Sequence, residues 1–491
     1  MPALMRRWLP LALLALGALW LRTHDLARRP MHADEANQGV KAGELLETGD
    51  YAFDPSDHHG PTLYYAVLPL ARIRGETTLA ALTETTVRLV PALFGTLAVL
   101  LLLALTTPNP KLKTQNPKPW AFTPLAAAFL AISPPAAYYS RYFIQETLLL
   151  TFILAAFAAT QRWWRTGHNG WALAAGASIG LAQATKATAP LFLLAAALAF
   201  AATRPPRPAA ARLTRPIALA LFAAIFIAAA FYTSFGQNLA GLNDAFATYT
   251  HAFTRAGGSS GHEKPWWYYL HLFAWLRDGG LTFHQLAFTS FAVAGAAVAW
   301  FARPSTHRAL LRGASLYTLL LLLAFSLTPY KTPWHAIHLV PGLAVLAAGA
   351  LVALPRGWLV APLAAAALYL QFTQTKLVAF TRPADARNPY AYVHSAPDVL
   401  KIRSLAEAAL ARSPDGVIRV ISEEYWPLPW YLRGYSRVGY WTTPPDTCDG
   451  ALVIASAAHA ETVRARLTGR YRESLLGLRP GFLCVVFTPE P

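Results

Sequence analysis

The chain has 491 residues, 55% of them apolar and 14% charged, with two cysteines and a formal net charge of +17. The apolar residues fall in blocks of about 15–22, the length that crosses a bilayer core, and an ordinary soluble domain has no use for such blocks. Two cysteines exclude a disulfide-dense scaffold, and the positive charge calls for no nucleic acid once its placement along the chain is considered.

Lipid offers backbone groups no hydrogen bonds, so each block must be a helix. The first block follows Arg6 and Arg7, and no small-residue cleavage site comes after it, so it reads as a retained span. About eleven spans are predicted, near 8–27, 86–106, 120–138, 142–160, 171–185, 188–202, 216–235, 281–301, 313–328, 335–354 and 357–375. With the N-terminus cytoplasmic, the inner segments hold fifteen Lys and Arg and no Asp or Glu. The rest of the chain up to residue 376 holds fourteen of each sign. The excess thus lies on one side, as the positive-inside rule requires, with the acidic loops and the tail extracytoplasmic. The expected fold class is mostly α: a polytopic helical membrane domain, residues 1–376, followed by a small α/β domain, residues 377–491.

The first external loop, about 28–85, carries two short helical patterns, Glu35–Leu46 and Thr62–Ile73, which read as interfacial helices. It opens with HADEA, where His32, Asp34 and Glu35 follow directly on the first span. Adjacent carboxylates at a membrane boundary are costly unless solvated or paired, and they mark functional sites. The structural alternative is that Asp34 caps the helix behind it. Further on, DHHGPT places His58 and His59 beside Asp57. Neighbouring histidines on one strand of backbone do not ligate one ion easily, and the spacing is not that of a zinc site.

Beyond the second span the basic, proline-rich PNPKLKTQNPKP and RPPRPAAARLTRP read as cytoplasmic linkers. YYSRYFIQE puts Arg141 and Glu146 at the outer end of the fourth span. A glutamate there faces a polar cavity or pairs, with Arg141 or Arg88 as the candidates. Lys186, in QATKATAP, has no acidic neighbour in sequence, which an anionic lipid phosphate would explain. The loop 236–280 contains AGGSSG, a lid hinge or a solvated turn, and then KPWWYYLHLFAWL, an aromatic run suited to the headgroup level. Lys331 and His335 follow in PYKTPWHAIH. In the tail, helix and strand patterns alternate: Val399–Ala411, VIRVIS, Trp426–Leu432, RVGYW, ALVIAS, Glu461–Leu467 and FLCVVF. WPLPWYLRGY serves either to stack sugars or to fill a core. Cys448 and Cys484 both lie in this tail, where a disulfide is permitted.

These motifs, in the order LRTHDLARRPMHADEA, HGPTLYY, RLVPALFG, YYSRYFIQETLLL, GLAQATKATAPLFLL and YKTPWHAIHLVPGLAVLAAG, resemble the GT-C superfamily of membrane glycosyltransferases. The branch is that of protein O-mannosyltransferases and aminoarabinose transferases. RNPYAYVHSAPDVL and EEYWPLPWYLRGYSRVGYW further resemble the family named for association with flippase activity. The resemblance implies a polyprenyl-phosphate sugar donor and transfer on the extracytoplasmic face of the cytoplasmic membrane. It also implies Asp34 as base with Glu35 as its partner, and Arg88, Arg141, Lys186, Lys331 and His335 as candidates to hold the leaving phosphate. His32, His58, His59 and Glu146 complete the expected substrate site. No cofactor is required, although some relatives in the superfamily use a divalent metal, for which Asp34 and His58 would be the ligands here. Two departures, histidines where aminoarabinose transferases carry Lys before the proline and TKATAP in place of TKGP, leave the sugar open. The acceptor, a glycan, lipid or protein, is open as well. Two other readings compete: a lipid-linked sugar flippase or its accessory protein, for which inverted repeats and mid-membrane polar residues are wanting, and a polysaccharide ligase or polymerase.

Overall fold

The computed structural model describes residues 3–56, 59–107, 119–203, 213–257, 261–302 and 307–490. Half of AGGSSG and most of the two proline-rich linkers lie outside the described residues. In chain order the first helices are α1 (Ala3–Thr23), α2 (Ala33–Thr48), α3 (Thr62–Ile73), α4 (Glu84–Thr106), α5 (Pro119–Ala131) and α6 (Pro134–Tyr139). Then come α7 (Glu146–Thr166), α8 (Asn169–Gln183), α9 (Ala189–Thr203), α10 (Thr214–Tyr232), α11 (Gly241–Ala256) and α12 (Tyr268–Phe273). A hairpin, β1 (Trp275–Asp278) and β2 (Leu281–His284), precedes α13 (Leu286–Phe301), α14 (Arg308–Leu327), α15 (Val340–Ala353) and α16 (Val360–Lys376). The last part holds α17 (Ile402–Arg412), β3 (Ile418–Ile421), α18 (Leu428–Leu432), β4 (Val438–Trp441), β5 (Leu452–Ser456), α19 (Ala460–Ala465), β6 (Tyr471–Arg479) and β7 (Phe482–Pro489).

The predicted spans overlap helices, the third divided between α5 and α6 and the tenth beginning in a 3₁₀ turn before α15, and α4, α10 and α14 are long and apolar enough to cross a membrane. The eighth starts later than expected, because residues 281–284 pair with 275–278 as a hairpin strand.

The chain packs as two compact units. The first comprises Met1–His24, Asp50–Leu63 and Arg88–Thr381; the second comprises Asp25–Gly49, Tyr64–Val87 and Arg382–Pro491. The two parts of the segment between α1 and α4 that carry α2 and most of α3 thus pack with the tail.

In the first unit α15 is the innermost helix, buried along nearly its whole length, with α5, α13 and α14 against it. Helix α10 is its opposite: it packs on α8 and otherwise exposes Leu221, Phe222, Ile225 and Phe226, a surface suited to lipid tails. Close approach explains the pairing of α8 and α10. Gly176 and Gly180 face the carbonyls of Ala220 and Ala224 with no room for a Cβ, the small-residue contact by which helices associate in lipid.

In the second unit a five-stranded sheet runs in the order β4-β3-β5-β7-β6. Strands β4, β3 and β5 are parallel, and β7 and β6 complete it antiparallel. Strand β6 is absent from the sequence pattern because it is an edge strand whose first half is exposed and polar. Trp430 is fully buried, so that part of the tail's aromatic run fills a core. Cys448 and Cys484 are buried free thiols, not a disulfide, and burial pushes the Cys484 thiol up to about 12.

Candidate active site

The HADEA motif lies in the second unit. His32, not Asp34, is the N-cap of α2: its Nδ1 accepts the Asp34 N–H at 3.0 Å, while Glu35 accepts the His32 N–H at 3.1 Å. This reciprocal box satisfies two helix-end donors at once. Both Glu35 oxygens also receive Arg29 Nη2, at 3.2 and 3.3 Å, and the side chain is 0% exposed. Glu35 was expected as the catalytic partner of Asp34; it is instead locked into the cap and the ion pair. Asp34 is different. Its side chain is 51% exposed, with His32 Nδ1 3.7 Å from Oδ2. That nitrogen already accepts an amide proton, so it carries none to share with the carboxylate.

The residues Glu146, Lys186, Lys331 and His335 belong to the first unit. Glu146, the first residue of α7, does not pair with Arg141 or Arg88 as expected. Lys186 Nζ donates to its Oε1, and both side chains are buried. The missing neighbour of Lys186 is therefore a carboxylate 40 residues away in sequence rather than only a ligand. His335 Nε2 lies 4.0 Å from Oε1 and His338 Nε2 3.9 Å from Oε2. The two rings sit three residues apart in a 3₁₀ helix, Pro333–His338, whose i and i+3 side chains share one face. His338 was not among the expected site residues; the H-x-x-H spacing was the available signal.

The His335 ring is held from behind. Tyr269 Oη lies 3.0 Å from the Thr332 carbonyl and 3.2 Å from His335 Nδ1. A phenol has one proton, and the carbonyl can only accept, so the phenol oxygen takes the Nδ1 proton and His335 Nε2 presents a lone pair toward the Glu146–Lys186 pair.

HGPT and QATKATAP meet through backbone. Gly60 N–H donates to the Thr185 carbonyl at 3.1 Å, Thr62 N–H to that of Ala184 at 3.3 Å, and the two threonine hydroxyls, Thr62 and Thr185, lie 2.7 Å apart. A Cβ on Gly60 would overlap the Ala184 carbonyl, so glycine is required here. This docking holds the half-buried His59 beside the turn that carries Lys186. Asp57 and His58 lie outside the described residues.

Lys331 is 2% exposed and donates to the Thr328 carbonyl, and burial pulls its ammonium below the ordinary lysine range. No carboxylate among the described residues pairs with it. Arg141 directs Nη1 to the carbonyls of Leu21 at 3.1 Å and His24 at 2.5 Å, at the end of α1, and its guanidinium lies 4.4 Å from the Phe380 ring centroid. That is a helix C-cap, a structural use of the charge. Arg88 is fully buried in α4. Among the described residues no group of three or more His, Cys, Asp or Glu is arranged to hold a metal ion.

Comparison with known proteins places this architecture. Residues 48–235 match the family model for dolichyl-phosphate-mannose-protein mannosyltransferase. The fold is that of GT-C glycosyltransferases, as the motif order implied. ArnT from Cupriavidus metallidurans in the apo state is 16% identical over 97% of each chain, with a TM-score of 0.65. The same protein bound to undecaprenyl phosphate gives 16%, 97% of each chain and 0.63. The archaeal oligosaccharyltransferase AglB from Archaeoglobus fulgidus is 14% identical over 96% of this chain and 73% of its own, with a TM-score of 0.54. No curated protein sequence matches the chain.

Proposed function

We propose that this protein is a glycosyltransferase that moves a sugar from a polyprenyl-phosphate donor to an acceptor on the extracytoplasmic face, with Asp34 as the base. The observation that carries the reading is the half-exposed Asp34 carboxylate, which makes no side-chain hydrogen bond among the described residues and stands on a backbone fixed by a capping box. A fold shared with a protein solved with undecaprenyl phosphate supports the donor class.

In the reaction the acceptor hydroxyl attacks the anomeric carbon as Asp34 takes its proton. The bond from that carbon to the phosphate oxygen breaks, and the polyprenyl phosphate leaves with the electron pair. Charge grows on the phosphate, so a buried cation without a counter-ion is the group best prepared to receive it. Lys331 is that cation. Lys186 serves if the phosphate displaces or shares its bond with Glu146. Arg88 and His59 in the first unit and His32 in the second are substrate contacts only as the motif resemblance implies them, while Arg141 acts through the end of α1. The positive excess of the inner loops supports about eleven spans with the N-terminus cytoplasmic and residues 377–491 outside.

The test is donor turnover by purified protein over a panel of polyprenyl-phosphate mannose, glucose and aminoarabinose. Wild type turns over at least one, and Asp34→Asn loses about 10²–10⁴-fold. Unchanged turnover in Asp34→Asn removes it as base.

A further inference from the structure

The tail has no evident part in the chemistry, yet its side chains surround the backbone that carries Asp34. Tyr431 Oη accepts the Met31 N–H at 2.8 Å, three residues before Asp34. His394, 1% exposed, packs edge-on against the capping His32, with ring centroids 5.6 Å apart at 63°. Two turns further along α2, Gly39 lies against the Trp430 indole with no room for a Cβ. The same indole donates Nε1 to Glu84 at 2.7 Å, and Arg433, 3.9 Å above its ring centroid, donates Nη2 to the Leu82 carbonyl at 2.6 Å. Helix α18 is thereby fastened both to the start of α2 and to the start of α4, and every contact falls within the second unit.

We infer that the C-terminal domain positions the base, with Tyr431 and His394 as positioning residues that hold the Met31–Asp34 backbone. The inference rests on the reading of Asp34 as base. A carboxylate that must meet a hydroxyl at about 3 Å gains from a backbone that does not drift, because a displacement of about 1 Å costs up to roughly 10²-fold in rate. Asp34 makes no side-chain hydrogen bond of its own among the described residues, so its position is set only by the main chain around it. Tyr431 pins that chain on the N-terminal side, and His394 supports the cap.

The experiment uses the full chain in detergent and two independent readouts, amide exchange and turnover of whichever polyprenyl-phosphate sugar in the panel the wild type uses. Tyr431→Phe keeps the ring and removes the acceptor. Exchange at Met31 rises, kcat falls about ten-fold, and KM for the donor stays within about two-fold. Asp34→Asn/Tyr431→Phe is no slower than Asp34→Asn alone, because the tyrosine acts only through the carboxylate. Val486→Ala, in the sheet core, lowers the unfolding temperature and leaves kcat unchanged, which separates positioning from general destabilisation. Unchanged exchange at Met31 overturns the inference, as does a rise in KM at constant kcat or a double variant slower than Asp34→Asn. A wild type that turns over no donor sinks the sugar-transfer reading instead, and the exchange result still reports separately on whether Tyr431 holds the loop.

Discussion

Lys186 donates a hydrogen bond to Glu146 across 40 residues of sequence, and neither side chain reaches water to any extent. Two charges in such a place are tolerable only together: removing one leaves the other buried without compensation, at a cost of about 3–5 kcal/mol. Glu146→Gln and Lys186→Met are each expected to lower the unfolding temperature sharply. The double variant, electrically neutral again, is expected to recover most of the loss. Differential scanning fluorimetry on the four proteins closes the cycle. Turnover then separates two uses of the pair, because a stable double variant with no activity assigns Lys186 to the donor phosphate, whereas an active one leaves it structural.

Asp34 and Glu35 are neighbours in opposite surroundings, the first half-exposed and the second buried in an ion pair, and under the proposed reading their substitutions should separate cleanly. Glu35→Gln loses the charge that answers Arg29 and weakens the capping box, whose acceptors are worth roughly 0.5–2 kcal/mol in comparable helices. It should destabilise α2, visible as faster exchange over residues 33–38, with turnover falling only as the helix frays. Asp34→Asn should leave exchange and unfolding temperature near wild type while removing turnover. The opposite pattern, a stable and inactive Glu35→Gln, would make Glu35 the reacting carboxylate.

How far the sequence foretold this site depends on the kind of interaction. The Asp34–Glu35 pair stands out in the sequence because two carboxylates just past a span have few structural uses. Which of them enters the capping box is not readable there, since it depends on where the helix begins. Glu146 was legible as a charge that must pair or face a cavity, but the partners the sequence offers are Arg141 and Arg88, and the fold brings Lys186 instead. Arg141 shows the converse: a cation at a span end reads alike whether it meets a phosphate or the last carbonyls of α1. In the tail, strands with apolar alternation were visible, and β6 was not because its outer half faces water. The junction of HGPT with TKAT is made mainly of backbone hydrogen bonds, which leave little trace in side-chain chemistry.

That junction gives a third test. Gly60 sits against the Ala184 carbonyl, and a main-chain atom inside a packed turn does not yield as a flexible side chain would. Gly60→Ala is therefore expected to cost about 1–3 kcal/mol, the range for overpacking, and to loosen the turn bearing Lys186. Gly17→Ala is the control: in α1 nothing lies within 4 Å of the added carbon, and the helix gains from the exchange. Unfolding temperatures of the two should move in opposite directions. Equal, small shifts would mean that the 59–62 segment is not seated on Ala184 and Thr185.

His394 supplies the pH dependence of the second unit. Burial, reinforced by the positive charge of Arg29 and by His32, holds its imidazole well below the usual range, so the folded protein keeps it neutral. Its Nδ1 lies 3.1 Å from the Ser395 carbonyl and donates its proton there. The unfolded chain, by contrast, takes up a proton below about pH 6.5. Above that value both states are neutral and His394 contributes no slope. As the pH falls through it, protonation favours the unfolded state, and stability declines by about 1.4 kcal/mol for each further unit until the folded pKa is reached. Protection factors for amide exchange over 25–49 and 382–490, taken relative to the intrinsic rate at each pH, should therefore fall between about pH 6.5 and pH 5. His394→Asn, whose amide can still donate to Ser395 but does not titrate, should flatten that segment of the profile. An unaltered slope in His394→Asn would place the titrating group elsewhere.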